Sequence, residues 1–239
     1  MRKFRGLSVL LFLVLSFVGL ASAGDVTIVL VNPGTWDGGT DYAMGGAYVG
    51  PYNITVNGQA EAVICDDAES VVNSGDSWTA VTSTIAGGLS QVRWTGVNIG
   101  AGVDGNTSTE SLTQHQEYEA IQYLAFLIMG NLSKPVTVGE IQWAIWDLTD
   151  PGLVNQSTGK ETWGTLTSAE ITSMDSYIQQ GISNDGGSSS QIVIYTPTGY
   201  GQEYILTPEP ASLTLLGTGL LAVAAGLRRK KPSRAVSSV

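Results

Sequence analysis

Hydrophobic and polar residues alternate along the first part of the chain with the two-residue period of β-strands. The segment 26–31 is a β-branched apolar run. A second run alternates until it reaches Asn57-Gly58, the strongest short signal for a hairpin turn, and 61–66 follows as its partner strand. Residues 26–103 are therefore predicted to be β-rich, with glycine-rich loops after the first strand.

The pattern then changes to the 3.6-residue period of a helix. Between Gln114 and Gly130 the apolar side chains fall on one face, which predicts an amphipathic helix with one side against a core. The residues on that face are Tyr118, Ile121, Leu124, Leu127 and Ile128.

Capping boxes predict two more helices, because a threonine and a glutamate three residues later satisfy each other's free backbone groups. Thr137 and Glu140 predict a helix over 137–149, with Val136 and Ile141 as its hydrophobic staple and Asp150-Pro151-Gly152 as its end. The same device predicts a helix over 167–180, which begins with Thr167 and Glu170.

The β pattern returns over 191–206, and the segment 91–97 also has the composition of a strand. The predicted fold class is α+β: a β-sandwich or barrel-like domain at 24–207, with an inserted helical subdomain at about 111–180. A signal peptide and a C-terminal transmembrane helix are expected to flank this domain.

Both ends of the chain have patterns typical of export. Residues 1–23 have a basic start, an apolar run and a small-residue cleavage site at Ala21 and Ala23, which predicts a cleaved signal peptide. Residues 211–227 are uncharged and long enough for a short membrane span, followed by a basic cluster. We therefore expect a precursor anchored in the inner membrane, with its central region outside that membrane.

The tail at 208–234 joins Pro208-Glu209-Pro210, the hydrophobic span and Arg228-Arg229. This arrangement resembles the PEP-CTERM sorting signal of Gram-negative, exopolysaccharide-producing bacteria. The resemblance implies that an exosortase-type processing protease is a partner. It also implies that the protein ends at the cell surface or in the extracellular space.

The region between these ends is strongly acidic. From Asp25 to Glu209 the chain has three basic residues, Arg93, Lys134 and Lys160, against all 21 acidic residues, a formal charge of −18. Such a surface repels nucleic acid and anionic lipid, so neither is expected as a partner.

Cys65 is the only cysteine, so this exported chain cannot form an internal disulfide. A chemical role for Cys65 therefore needs a partner residue other than cysteine. Without such a role, Cys65 is a small buried hydrophobe. Gln142 lies four residues before Trp146, on an apolar face of the predicted helix, where an unsatisfied amide costs free energy.

Cys65 and the run Ile141-Gln-Trp-Ala-Ile-Trp146 resemble the thioester domains of bacterial surface adhesins. In that family a cysteine attacks the amide of a glutamine in a Thr-Gln-x-Ala-Ile-Trp motif, and ammonia leaves. The resemblance implies a thioester between Cys65 and Gln142, with Trp143 and Trp146 as shields. It also implies adhesion by attachment to a surface amine, used once, so the protein is not expected to be an enzyme.

The sequence departs from this family at two places. Ile141 replaces the usual threonine, and Asp66 and Asp67 follow the cysteine. Two acidic neighbours are expected to raise the pKa of the thiol and to disfavour the thiolate.

Other chemistries have weaker support. His115 is the only histidine and lies at a polar helix start, so a catalytic role and a zinc site are not expected. The segment 104–110 lacks the final glutamate of a calcium loop, and no metal or cofactor is predicted. Six tryptophans and nine tyrosines leave an alternative function open: a non-covalent module that binds carbohydrate or exopolysaccharide, or a structural protein of the biofilm matrix.

Overall fold

The computed structural model describes residues 24–33, 35–36, 40–41, 43–96, 98–99, 110–151, 153–155, 160–161, 166–184 and 192–207. These residues contain fourteen strands and three helices. The strands are β1 (Asp25–Asn32), β2 (Thr35–Trp36), β3 (Thr40–Asp41), β4 (Ala43–Met44), β5 (Ala47–Tyr48), β6 (Tyr52–Val56), β7 (Gln59–Cys65), β8 (Ser77–Ser83), β9 (Asn98–Ile99), β10 (Glu110–Ser111), β11 (Val154–Asn155), β12 (Lys160–Glu161), β13 (Val193–Pro197) and β14 (Tyr204–Leu206). The helices are α1 (Gln114–Gly130), α2 (Pro135–Thr149) and α3 (Ser168–Ser183).

Six antiparallel strands close into a barrel in the order β1-β6-β7-β14-β13-β8, with β8 paired back to β1. Closure pairs both edges of every barrel strand and leaves none open for another chain. The three helices are inserted between β8 and β13 and pack on one another. The α+β class with a barrel-like domain and a helical insert is confirmed.

The predicted hairpin is confirmed at β6 and β7. Asn57 and Gly58 have φ of 50° and 82°, and Val56 pairs with Gln59 across the turn. Positive φ at both turn residues matches the right-handed twist of the strands, and the hairpin register runs from this turn to the pair Tyr52 and Val63.

Two apolar cores lie on opposite faces of the barrel wall. The first fills the barrel interior, and the second packs the three helices against the outside. Neighbouring residues of β7 divide between them, because side chains alternate along a strand: Ile64 joins the helix core and Cys65 the barrel core. The barrel core consists of Ile28, Leu30, Tyr52, Ile54, Val63, Cys65, Trp78, Ala80, Tyr195 and Tyr204.

The capping box at Thr167 and Glu170 forms as predicted. The capping box predicted at Thr137 and Glu140 is wrong. Helix α2 begins two residues earlier, with Pro135 after the cap residue Lys134. A proline at the first helical position has the right φ and needs no hydrogen-bond acceptor, so it starts the helix there. Val136 is 59% exposed, so the predicted staple with Ile141 is also wrong.

The strand predicted at 91–97 does not form over its described residues, 91–96. The backbone N–H groups of Arg93, Trp94 and Gly96 donate to side chains of Glu203, Tyr118 and Glu117 instead of to a neighbouring strand. Barrel strand β8, by contrast, was not predicted, because four of its seven residues are serine or threonine.

The predicted signal peptide at 1–23 and the span at 211–227 lie outside the described residues. Among the helices that the structure describes, none has the length and apolar character needed to cross a membrane.

Candidate functional site

Cys65 is the last residue of β7 and is fully buried inside the barrel. It pairs in register with Tyr204 of β14, and its Sγ donates a hydrogen bond to the carbonyl oxygen of Asp67 at 3.3 Å. Cys65 takes part in no disulfide.

Gln142 of α2 lies directly against Cys65, although 77 residues separate them. Its Nε2 donates to the Cys65 carbonyl oxygen at 2.5 Å, and its Oε1 accepts from the Gly50 backbone N–H at 3.3 Å. The side chain is fully buried, so these two bonds hold both polar ends of the amide where water does not reach. The structure therefore brings together the two residues that the sequence singled out.

Gly50 is adapted to this contact. A Cβ at this position would stand 2.9 Å from Gln142 Oε1, closer than side chains ordinarily approach. Only glycine leaves the amide oxygen in contact with the backbone N–H. A donor at that oxygen is also what stabilises negative charge on an acyl group under attack.

The two predicted shield residues have different surroundings. Trp143 is fully buried, and its indole N–H donates to the Met44 carbonyl oxygen at 3.1 Å beneath the β4–β5 hairpin. Trp146 lies beside the Cys65 thiol and also lines a surface pocket. The two rings meet edge to face, with centroids 5.2 Å apart.

The electrostatics keep the thiol protonated. Burial raises the pKa of Cys65 well above its ordinary value, and the neighbouring Asp66 carboxyl raises it further. The Trp146 indole and the Arg93 guanidinium act in the opposite direction on this pKa. The expected effect of Asp66 is thus confirmed. Asp67, however, forms an ion pair with Arg93.

A buried carboxyl cluster that was not predicted from the sequence includes the aspartate of this ion pair. Glu203 accepts hydrogen bonds from the hydroxyls of Tyr118 and Thr196 and from the Arg93 N–H. Burial raises the pKa of Asp66 well above its usual range, and the charge of Glu203 adds to the rise. The cluster comprises Asp66, Asp67, Glu117 and Glu203.

Asp67 joins three parts of the chain next to the thiol. Its carboxylate is fully buried and accepts from the Arg93 guanidinium, from the Ser70 N–H at 3.1 Å and from the Glu203 N–H at 3.3 Å. These bonds fix the turn that follows Cys65 against β14. The second aspartate after the cysteine therefore has a positioning role.

Glu117 should make folding stability depend on pH. Burial raises its pKa from 4.5 to about 7, although the Gly96 N–H lowers it in part. The folded protein then binds more protons than the unfolded chain between these values, so stability is expected to fall as pH rises through 7. Urea midpoints at pH 5 and pH 8 should differ less in Glu117→Gln than in the unchanged protein. The same replacement at exposed Glu69 is the control, and an unchanged pH dependence in Glu117→Gln would contradict the assignment.

Most of the other residues named from the sequence lie apart from this site. His115 is exposed on α1, and its Nδ1 lies 3.2 Å from Oε2 of Glu119. Within the described ranges no group of three or more potential ligands is placed to hold a metal ion. Three further sets lie outside the described residues: most of the segment 104–110, the cleavage residues Ala21 and Ala23, and the sorting residues Pro208, Glu209, Pro210, Arg228 and Arg229.

The fold and the C-terminal tail together define a class: a barrel-like domain with a helical insert, followed by an export sorting signal. A family model described as the PEP-CTERM protein-sorting motif matches residues 206–230, so the resemblance of the tail is confirmed. The motif implies processing by an exosortase, an exported precursor associated with the membrane, and an extracellular destination.

Comparison with curated proteins found no match. Among solved structures, the N-terminal thioester domain of a surface protein from Clostridium perfringens is similar to this chain. The alignment has a TM-score of 0.43 and 12% identity, and it covers 77% of this chain and 98% of the other.

Proposed function

We propose that this exported protein attaches covalently to amines at the cell surface or in the extracellular matrix, through an internal thioester between Cys65 and Gln142. One observation carries the proposal: the Gln142 amide is buried and held by hydrogen bonds to the carbonyl of Cys65 and to the N–H of Gly50. A buried glutamine placed against the one cysteine of the chain is the arrangement that such a bond requires.

Bond formation would be a simple acyl transfer. The Cys65 sulfur attacks the Gln142 side-chain carbon, and the Gly50 N–H stabilises the negative oxygen that develops. The C–N bond breaks as the C–S bond forms, and the thiol proton leaves with the nitrogen as ammonia. Burial of both side chains would protect the product from water, with Trp143 and Trp146 as its proposed shields.

Attachment would reverse the roles of sulfur and nitrogen. A partner's amine attacks the Gln142 acyl carbon, the C–S bond breaks, and the sulfur takes up the proton that the amine loses. The product is an amide between the partner and Gln142, with Cys65 again a thiol. Each molecule reacts once, so the protein would be an adhesin and not a turnover enzyme.

Intact-mass spectrometry tests the proposal directly. Freshly purified protein is expected to weigh about 17 Da less than its processed sequence, the mass of one ammonia, and methylamine should then add about 31 Da. Protein denatured before methylamine is added is the control, because exposure to water should hydrolyse the bond. A full sequence mass and no methylamine adduct in freshly purified protein would rule out the thioester.

A further inference from the structure

A pocket of about 370 Å³ opens between β1, the β4–β5 hairpin and the segment that follows β7, and Trp146 of α2 lines it. We call it the Trp146 pocket, after the residue that forms its wall towards the thiol. The side chains that matter for its chemistry are Tyr48, Tyr52, Trp146, Asn32, Asn73 and Gln202.

Two of these side chains also belong to the surroundings of the thiol. Trp146 lies beside the sulfur and partly offsets the rise of the Cys65 pKa. Tyr52 has a raised pKa, caused first by burial and then by the charge of Cys65. These two side chains therefore stand between the pocket and the proposed thioester, and an amine held in the pocket reaches Gln142 when the Trp146 shield turns aside.

The far wall of the pocket is tied to the chain immediately after the cysteine. The Gln202 amide donates to the carbonyl oxygens of Asp67, at 3.1 Å, and of Ser70. The Tyr52 hydroxyl donates to the Tyr48 carbonyl oxygen at 2.6 Å, which fixes the β4–β5 hairpin at the rim. The pocket is thus preformed, as small-molecule sites usually are.

The lining has the chemistry of a sugar-binding site. Tyr48 at the rim is half exposed and provides an aromatic face for a sugar ring, while the nearly buried Tyr52 and Trp146 form part of the wall. The amide groups of Asn32 and Asn73 suit hydroxyl groups, which both donate and accept. None of the described residues that line the pocket is charged. Its volume suits roughly one or two sugar units, since ligand sites span about 300–1,000 Å³.

The charge of the domain favours a sugar polymer that carries amines. Between Asp25 and Glu209 the formal charge is −18, which attracts a polymer whose amines are partly protonated. Attack on an acyl carbon needs the neutral amine. A sugar amine beside electron-withdrawing oxygens titrates roughly like an α-amino group, at about 7.7–8.0, against about 10.4 for lysine. Near neutral pH it therefore offers far more free base than a lysine side chain.

Building on the proposed thioester, we infer that the Trp146 pocket binds a unit of an amino-sugar polysaccharide and directs its amine to Gln142. The sugar nitrogen forms the new C–N bond with the Gln142 acyl carbon, the C–S bond breaks, and the nitrogen's proton passes to Cys65. The proposed function requires only some amine. The pocket adds the choice of which amine reacts.

Competing amines test this inference on the purified protein. Adduct formation is measured by intact mass at pH 7.5 with equal amine concentrations of methylamine, a lysine peptide and glucosamine oligosaccharides. The oligosaccharides are expected to react at least about tenfold faster than either of the others. Tyr48→Ala should lower this preference by about tenfold, whereas Phe126→Ala, an exposed aromatic on α1, should leave it unchanged.

The outcomes separate the two proposals. If methylamine reacts but oligosaccharides show no preference, or if the lysine peptide reacts fastest, the pocket inference is overturned and the thioester stands. If no amine reacts, the thioester fails, and the pocket is judged by calorimetric binding of the same oligosaccharides to Cys65→Ala. Binding that Tyr48→Ala weakens would then support a sugar site, and no binding would overturn it.

Discussion

Replacing Cys65 with alanine should abolish amine capture entirely and restore the full sequence mass. The sulfur is the atom that would displace ammonia from Gln142, whose amide is held against the Cys65 backbone carbonyl. The variant should stay folded, because a buried free cysteine packs as a small hydrophobe and alanine leaves no polar atom unsatisfied. Intact mass before and after methylamine treatment measures the effect.

Gln142→Glu is the matched variant on the other side of the proposed bond. It keeps the length and volume of the side chain but removes the nitrogen that must leave as ammonia. It should therefore show no mass deficit and no methylamine adduct. An adduct at Gln142 in Cys65→Ala would mean that the amide reacts without the thiol, which contradicts the mechanism.

Arg93→Met should cause the largest loss of stability, about 3–5 kcal/mol, because it leaves the fully buried Asp67 without its cation. Methionine keeps much of the apolar stem, so lost packing contributes little. The side chain of Arg93 is 26% exposed, which places the expected loss towards the lower end of this range. Urea unfolding at pH 7 measures it.

Lys134→Met is the control for the change in net charge. Lys134 is exposed and contacts Asn131, so its loss should change stability by less than about 0.5 kcal/mol. Asp67→Asn combined with Arg93→Met should recover part of the loss, because a neutral amide needs no cation. Equal stability of Arg93→Met and Lys134→Met would show that Asp67 gains nothing from the guanidinium.

The same arginine links stability to the proposed chemistry. Its charge lowers the pKa of Cys65, whereas burial and Asp66 raise it. Without Arg93 the thiolate becomes still rarer, so thioester formation should slow even in molecules that remain folded. Stability and reactivity therefore depend on one contact near the end of β7.

Local signals in the sequence predicted local structure well. Asn57-Gly58 fixed a hairpin because both residues tolerate positive φ, and Thr167 with Glu170 fixed a helix start. Pro135 overrode the competing signal at Thr137, because a proline restricts the backbone more strongly than a side-chain cap does. The proximity of Cys65 and Gln142 was predicted from the resemblance of the motif around Gln142 to that of thioester domains.

The carboxyl cluster was not predictable, because its members come from distant parts of the chain. Glu117 is on α1 and Glu203 directly precedes β14, and each looks like an ordinary surface acid in its local sequence. Barrel closure and the irregular segment around Arg93 bring them together. No local pattern carries that information.

The barrel also sets an order of events during synthesis. Cys65 pairs with β14, and the barrel closes only when residues 193–207 are available, so these contacts have high contact order. The sorting motif begins at residue 206, the last residue of β14. The surroundings of Cys65 are therefore complete only once the chain up to the start of its sorting motif has been made.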